Sequence, residues 1–258
     1  MLIQQFRDAV YHAFSKRPDA TMDLVDALTV ARHVASPVAL STETPFRRRF
    51  SSVYDVLREK VLDAQGLHPL LYQAQPDDAD QVAGFRVYAL DTTPNERPTA
   101  ATLPDRGLLK DQSDEPARIG FKFSWLARLV QRGTSWVAPW DVQRVPTTQT
   151  ENQVARQQVA ALAQTETAPT VIVADSRYAS HIFLGIFATW HHVFALVRLR
   201  NHQVLYERPV SKEPGAKGAP RKHGARFKLA TLVRPPDRAD SGKSRGKRSN
   251  CKHGWAYI

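Results

Sequence analysis

The spacing of apolar residues divides the chain into a helical first part and an α/β second part. Between residues 4 and 15 apolar side chains recur every three to four positions, which predicts a helix. A later helix is predicted to open at the capping-box spacing of Ser52 and Asp55. Residues 1–72 are therefore predicted to form a small helical N-terminal domain, and the polar residues 73–83 a linker.

From residue 84 the pattern changes to short apolar runs that alternate with amphipathic segments. Strands are predicted at residues 85–90, 119–130, 135–145, 170–175 and 193–199, and helices at residues 149–164 and 180–191. This order predicts a mixed α/β sheet with flanking helices over residues 84–210. In residues 211–258 Pro, Gly, Lys and Arg dominate, which predicts a basic, largely irregular and disordered tail.

The formal net charge of +11 arises from the last fifth of the chain. Residues 1–207 hold 22 Lys and Arg against 22 Asp and Glu, whereas residues 208–258 hold 14 against 3. Such a segment attracts polyanions, of which nucleic acid is the usual one. A solvated basic tail without a specific role has the same composition, so charge alone leaves both interpretations open.

Composition excludes several classes of protein. The chain has 42% hydrophobic and 24% charged residues and is long enough to bury a core, which is typical of a globular protein. Cys251 is the single cysteine, which excludes an intramolecular disulfide and a cysteine-rich zinc site and favours a cytoplasmic location. The sequence lacks an uncharged apolar run of membrane-spanning length and a signal-peptide pattern, so we expect no membrane association.

Two predicted strands are followed directly by an aspartate, Asp91 in one case and Asp175 in the other. Functional groups gather at the carboxyl ends of strands in open α/β sheets. Two carboxylates at such a place offer the hard oxygen ligands that Mg²⁺ or Mn²⁺ prefers, and a pair of ions can promote phosphodiester cleavage. Each aspartate could instead cap the turn or helix that follows it, and the sequence leaves that alternative open.

The segments around these aspartates resemble the transposases of bacterial insertion sequences, which are DDE superfamily endonucleases with an RNase H-like fold. Residues 87–94, which contain Asp91, and residues 171–178, which contain Asp175, carry the resemblance. Further matches in the same order lie at residues 46–55, 123–126, 135–139 and 218–224. In that family the strand that carries the first Asp is followed by two more strands, a helix and then the strand that carries the second Asp. The same order is predicted here.

The resemblance implies a metal-dependent enzyme of DNA transposition, which cleaves phosphodiester bonds and transfers DNA strands. Asp91 and Asp175 would be its first two catalytic, metal-binding carboxylates, with Mg²⁺ or Mn²⁺ as a two-metal cofactor in the complete enzyme. DNA would be the partner, and a homodimer is consistent with the complete family. The residues expected to contact DNA phosphates are Arg221, Lys222, Arg226 and Lys228.

The family also requires a third acidic residue, usually a Glu on a later helix, and its identity in this sequence is unknown. After Asp175 the acids are Glu207, Glu213, Asp237 and Asp240, and none of them lies in a helical pattern. We therefore expect an incomplete, inactive copy, truncated or frameshifted at its C-terminus. Two other interpretations stay open: a non-catalytic DNA-binding fragment whose basic tail supplies the affinity, and an unrelated α/β protein whose aspartates only form turns.

Overall fold

A computed structural model of the protein describes residues 3–59, 64–76, 81–109, 118–130, 137–200, 203–211, 218–219 and 221–228. The first part contains α1 (Ile3–His12), α2 (Pro18–Val30), α3 (Pro37–Leu40), α4 (Ser51–Arg58) and α5 (Ala64–Gln73). The second part contains β1 (Arg86–Glu96), β2 (Gly107–Leu109), β3 (Arg118–Leu129), β4 (Val137–Val145), α6 (Glu151–Thr165), β5 (Thr170–Ala174), α7 (His181–Leu184) and β6 (Val193–Val197). Two 3₁₀ helices, Ser176–Tyr178 and Gly185–Thr189, flank α7, and β7 (Val204–Tyr206) and β8 (Arg226–Lys228) follow.

Helices α2, α3 and α4 enclose a small core of their own, in the region for which a helical domain is predicted. Ala27 of α2 and Val53 of α4 are fully buried there. The capping-box prediction for α4 is wrong: the helix begins at Ser51, and Phe50 precedes it without a side-chain cap. Phe50 already has helical torsion angles, so the helix begins before Ser52, and Ser52 lies inside the helix and not at its N-cap. Among the described helices, none is long and apolar enough to span a membrane.

The second part is a mixed sheet with β1 at its centre. β1 runs antiparallel to β3 on one side and parallel to β5 on the other, and β6 extends the sheet in parallel beyond β5. Both β2 and β4 pair with the far side of β3. The long elements follow the order strand, strand, strand, helix, strand that the resemblance implies, and the predicted RNase H-like mixed sheet with flanking helices is confirmed. The predicted tail beyond Lys228 lies outside the described residues.

One face of this sheet is packed against helices, and we call it the helix-covered face. Strand residues that alternate along β1, β3 and β5 project onto it, and Tyr88, Leu126 and Ile172 are fully buried there. α6 contributes Val159 and Leu162 to the same cluster. The burial of these apolar side chains is the main favourable contribution to the free energy that holds α6 on the sheet.

β1 is longer than the sequence predicts. The expected strand ends at Leu90 and the following residues have turn chemistry, but β1 continues to Glu96, where it still pairs with Gly120 of β3. The parallel pairing with β5 stops at Leu90, so beyond that residue one side of β1 is an edge. Pro94 is tolerated in such an edge segment, because a proline lacks the amide hydrogen that an inner strand must donate.

Candidate active site

Asp91 and Asp175 lie side by side where the parallel pairing of β1 and β5 ends. Leu90 is opposite Ala174 in the register of the two strands, and each aspartate is the next residue of its segment. Neighbouring strands are roughly 4.8 Å apart, which brings the backbones of the two residues close together at the same end of the sheet. Both aspartates are exposed to solvent. The fold therefore brings Asp91 and Asp175 to the same end of the two parallel strands, and their role as metal ligands stays a prediction.

Each carboxylate is also oriented by local hydrogen bonds. Oδ1 of Asp91 accepts a hydrogen bond from the backbone N–H of Thr92, at 2.8 Å. Oδ1 of Asp175 accepts one from the backbone N–H of Arg177, also at 2.8 Å, and thereby caps the 3₁₀ helix Ser176–Tyr178. Nε of Arg177 lies 3.3 Å from Oδ2 of the same aspartate. Asp175 therefore has the capping role that the sequence leaves open for it, and it also lies at the same end of the sheet as Asp91.

A buried hydrogen bond beneath the two acids ties their segments together. The hydroxyl oxygen of Tyr178 lies 2.7 Å from Oγ1 of Thr92, and Tyr178 is fully buried. Burial raises the pKa of Tyr178 to about 12, and the negative charges of Glu151, Asp91 and Asp175 act in the same direction. The phenol therefore stays neutral at physiological pH and serves as a fixed hydrogen-bonding group.

The sequence predicts no role for Tyr178 or Thr92, although both lie within the two segments that carry the resemblance. The sequence does contain an indication for Thr92. It follows Leu90 by two residues, the spacing that places side chains on the same face of a strand, and Thr92 does share the helix-covered face with Leu90. The position of Tyr178 depends on the 3₁₀ helix that Asp175 caps, and a pattern of apolar residues carries no information about it.

Glu151 is a further carboxylate near this site, in the first turn of α6. Nζ of Lys122 lies 2.6 Å from Oε1 of Glu151, and their side chains are 24% and 15% exposed. The negative charge of Glu151 is therefore paired with Lys122. Within the part of the chain that the structure describes, no three His, Cys, Asp or Glu side chains form a group able to hold a metal ion. The two aspartates fit Mg²⁺ in ligand type, as hard oxygen donors, and they supply two ligands.

Replacing Tyr178 with phenylalanine should lower the free energy of unfolding by about 1 kcal/mol, because the Thr92 hydroxyl would stay buried without its partner. Urea unfolding would measure the loss. Thr92→Val should cost a similar amount, and the double variant should cost clearly less than the sum of the two, since both changes remove the same hydrogen bond. Full additivity of the two changes would mean that this bond does not couple the two segments.

Two of the residues predicted to contact DNA phosphates, Arg226 and Lys228, lie in β8 of the separate two-stranded sheet of β7 and β8, and Arg221 and Lys222 lie in the segment that precedes β8. Leu205 is opposite Phe227 in this antiparallel pair, and the rings of Tyr206 and His223 lie 4.7 Å apart between centroids. The side chains of Arg221, Lys222 and Arg226 are exposed, and we call these three residues the basic ribbon. Lys228 ends β8, and its side chain lies outside the described part of the structure.

The structure thus has a mixed α/β sheet with an aspartate directly after the parallel-paired segment of each of two adjacent strands, β1 and β5. The sequence model of the DDE superfamily endonuclease family matches residues 9–254. The chain therefore belongs to the DDE superfamily endonucleases.

The chain also has a weak likeness to a solved structure. No curated protein matches the chain in sequence. Among solved structures the chain is similar to a chain of the Drosophila P element transposase strand transfer complex, with 14% sequence identity and a TM-score of 0.22. The match covers 75% of this chain and 47% of that chain, so this chain spans about half the length of the transposase chain.

Proposed function

We propose that the protein is a DDE-type transposase of a bacterial insertion sequence, which acts on DNA by metal-dependent phosphodiester cleavage and strand transfer. The observation that carries this proposal is the register of Leu90 with Ala174, which makes Asp91 and Asp175 neighbours. Membership of the DDE superfamily endonucleases supports it independently, because the family match covers both aspartates.

In this proposal Asp91 and Asp175 hold Mg²⁺ or Mn²⁺. The bound metal ions would activate a water molecule and stabilise the leaving oxygen of the phosphodiester. The remaining work is done by residues of the chain itself. The backbone amides of Thr92 and Arg177 orient the two carboxylates, and the bond between Thr92 and Tyr178 fixes the segments that carry them.

We further propose that these two carboxylates alone support little cleavage. A pair of divalent ions needs several charged oxygens, and the carboxylate of Glu151 is engaged by Lys122. The test of the whole proposal is the binding of Mn²⁺ and the cleavage of DNA in Asp91→Asn and Asp175→Asn variants.

We propose the same division of the chain that the sequence predicts: a helical domain at residues 1–72, a linker at 73–83, an RNase H-like core at 84–210 and a basic tail at 211–258. The helical part contacts the core through α5, where Nε2 of His68 lies 3.0 Å from Oδ1 of Asp141. His68 also stacks on Trp140 of β4, with ring centroids 4.5 Å apart. A cytoplasmic location suits an enzyme that acts on chromosomal DNA.

DNA binding should be sensitive to salt and largely independent of sequence, because the basic ribbon and the residues after it carry the excess charge. Replacing Arg221, Lys222 and Arg226 together with alanine should reduce the slope of log affinity against log salt by roughly 2–3, at about 0.9 per phosphate contact. Fluorescence anisotropy with a labelled duplex at several salt concentrations would measure the slope.

Arg156→Ala is the matched control for this experiment, because Arg156 is an exposed arginine on α6. It should leave the slope unchanged, whereas removal of residues 208–258 should abolish most of the binding. If the truncated chain kept its affinity at moderate salt, the helical N-terminal part would be the true DNA-binding region.

The charge distribution also favours a second candidate function, a non-catalytic DNA-binding fragment. Residues 208–258 carry 14 Lys and Arg against 3 Asp and Glu, which suffices for non-specific affinity without any chemistry at the aspartates. The two candidates differ in one measurable property, since only the transposase requires a divalent metal at Asp91 and Asp175.

A further inference from the structure

Five neighbouring strands each bring one residue, in the strand or directly after it, to the same level of the sheet. Asp91 is opposite Trp125 of β3, and Trp125 is opposite Val142 of β4. On the other side, the backbone N–H of Arg198 donates to the last carbonyl of β5 at 3.4 Å, which holds Arg198 beside Asp175. We call these residues the cross-sheet row, and in order across the sheet they are Val142, Trp125, Asp91, Asp175 and Arg198.

The cross-sheet row lies on the sheet face opposite the helix-covered face, which we call the open face. Side chains alternate between the two faces of a strand. Four members of the row each have a sequence neighbour that packs in or against the helix-covered core, and these neighbours are Leu126, Leu90, Ala174 and Val197. Trp125 is 43% exposed, and the side chains of Asp91, Asp175 and Arg198 are exposed as well. A ligand can therefore reach the row from solvent.

The row places an aromatic ring on one side of the two acids and a guanidinium on the other. Opposite residues of an antiparallel pair have Cβ atoms roughly 4.5–5.5 Å apart, so the side chains of Trp125 and Asp91 begin side by side. At roughly 4.8 Å between strands, Trp125 and Arg198 each lie roughly 7 Å from the midpoint between the acids. Exposed indole rings stack on nucleobases, and guanidinium groups bind phosphates. A short unpaired strand can therefore lie across the row with one phosphate at the acids.

We propose that the cross-sheet row binds an unpaired stretch of DNA, in which Trp125 stacks on a base and Arg198 binds a phosphate. This binding mode rests on the proposed function, because the strand then presents a phosphodiester to Asp91 and Asp175. Bases inside a duplex are stacked on each other, and a protein reaches their faces only in single strands or after the duplex opens. The substrate at this site is thus DNA that is single-stranded or locally opened beside the bond to be cleaved.

The charge of Asp91 favours a nucleic acid over an apolar protein segment as the ligand of the open face. An apolar segment packed on Trp125 would desolvate the neighbouring carboxylate without a partner, which is costly. A phosphate strand that arrives with divalent metal ions compensates the same charge. The carboxylate beside the ring therefore fits a ligand that is apolar at its bases and charged at its backbone.

The aromatic residues along β3 extend the same surface. Phe123 and Phe121 follow Trp125 at the strand spacing of two, so their half-buried rings share the open face. The guanidinium of Arg144 on β4 lies 4.2 Å from the centre of the Phe121 ring. Sheets that carry two or three aromatic side chains on one surface bind successive unpaired bases by stacking. The stripe thus offers a path for the strand beyond the acids.

The test is fluorescence anisotropy of the full chain with a labelled oligothymidine and with a blunt duplex of equal length. Mn²⁺ is present, and the salt concentration is high enough to suppress binding by the basic tail. Trp125→Ala should weaken oligothymidine binding roughly 5–150-fold, the range for one stacked base, and leave duplex binding unchanged. Trp125→Phe, which keeps a ring, should retain most of the affinity. Val142→Ala is the matched control, because Val142 is 44% exposed beside Trp125 and has no ring.

Two further measurements locate the strand. Arg198→Gln should lower the slope of log affinity for the oligothymidine against log salt by roughly 0.7, the value for one phosphate contact of a single strand. Photo-crosslinking of an oligonucleotide that contains 5-iododeoxyuridine should label the tryptic peptide of residues 123–128, which contains Trp125. Circular dichroism would show that the variants remain folded.

Equal oligothymidine affinity in the wild type, Trp125→Ala and Val142→Ala would overturn the proposal. Equal losses in the two variants would overturn it too, since loss of apolar contact would then explain them without stacking. Crosslinks confined to residues 208–258 would show that the basic tail alone holds the strand. The metal site is judged separately: a specific loss in Trp125→Ala, together with Mn²⁺ binding that Asp91→Asn and Asp175→Asn leave unchanged, would support the strand-binding row and refute the proposed chemistry.

Discussion

Replacing Glu166 with glutamine should lower the free energy of unfolding by about 3 kcal/mol, because the change leaves the guanidinium of Arg86 without its charged partner. Glu166 is 1% exposed, and Nη1 of Arg86 lies 2.7 and 2.8 Å from its two carboxylate oxygens. This value is at the lower end of the roughly 3–5 kcal/mol that breaking a buried ion pair costs, because the Arg86 side chain is 27% exposed.

Glu166 connects three elements at once, which explains why so large an effect is expected. The hydroxyl of Tyr72 in α5 and that of Tyr88 in β1 both lie 3.3 Å from its oxygens, and the backbone N–H of Ala168 donates to it at 3.0 Å. The carboxylate thus joins α5, β1 and the loop that leads into β5. Loss of its charge should loosen α5 from the sheet as well as lower global stability.

The dependence of this effect on pH has a definite sign. Burial alone would raise the pKa of Glu166, but hydrogen bonds from Arg86 and Ala168 and the charge of Arg86 outweigh it, so the pKa lies below its ordinary value of 4.5. A lowered pKa means that the ionised carboxylate stabilises the fold above pH 4.5 and that this contribution is lost as the pH falls through the folded-state pKa. The difference in stability between wild type and Glu166→Gln should therefore narrow below pH 4.5.

Urea unfolding at neutral pH and at several acidic pH values would measure both effects. Glu96→Gln is the matched control, because it breaks the pair of Glu96 with Arg118, in which the two side chains are 46% and 33% exposed. Surface pairs of this kind contribute roughly 0–1 kcal/mol. Equal losses in the two variants would contradict the structural role assigned to Glu166.

The sequence predicts those parts of the fold that depend on local pattern. The apolar run at residues 170–175 appears as β5, and the amphipathic segment at residues 149–164 appears as α6, which Thr150 and Gln153 cap reciprocally. The placement of Asp91 beside Asp175 follows from strand order together with the rule that parallel strands gather groups at their carboxyl ends. These predictions succeed because the local preferences and the tertiary structure agree.

Other features depend on partners far away in the chain, and local pattern cannot reveal them. Residues 92–95 have turn chemistry, yet they continue β1, because the long strand β3 offers them an antiparallel partner. Glu166 resembles a solvated residue after a helix, and the arginine that neutralises it is 80 positions away. Tyr178 and Thr92 are likewise 86 positions apart. Single polar residues of this kind acquire their roles only when the sheet is assembled.

Asp91→Asn and Asp175→Asn should each weaken the binding of Mn²⁺ at least 10-fold, because each removes a charged oxygen ligand, and even outer hydrogen-bond partners of a metal site are worth roughly 10–100-fold in affinity. The amide keeps the shape of the side chain and can still accept the hydrogen bonds from Thr92 and Arg177, so the fold should be preserved. Electron paramagnetic resonance of free Mn²⁺ would measure the affinity. Asp55→Asn on α4, whose half-buried carboxylate lies 3.8 Å from Nη1 of Arg17, is the matched control.

The same variants test the chemistry itself in a nicking assay on supercoiled DNA with Mg²⁺ or Mn²⁺. Two carboxylates offset less charge than a pair of divalent ions carries, so the 258-residue chain should show little or no metal-dependent cleavage. Robust cleavage that both Asn variants lose would overturn the expectation of an inactive chain and would show that a third carboxylate is supplied, with Glu151, Glu207 and Glu213 as the candidates. Equal Mn²⁺ binding in the wild type and both variants would refute the metal site itself, and would leave DNA binding through the basic residues as the function of the chain.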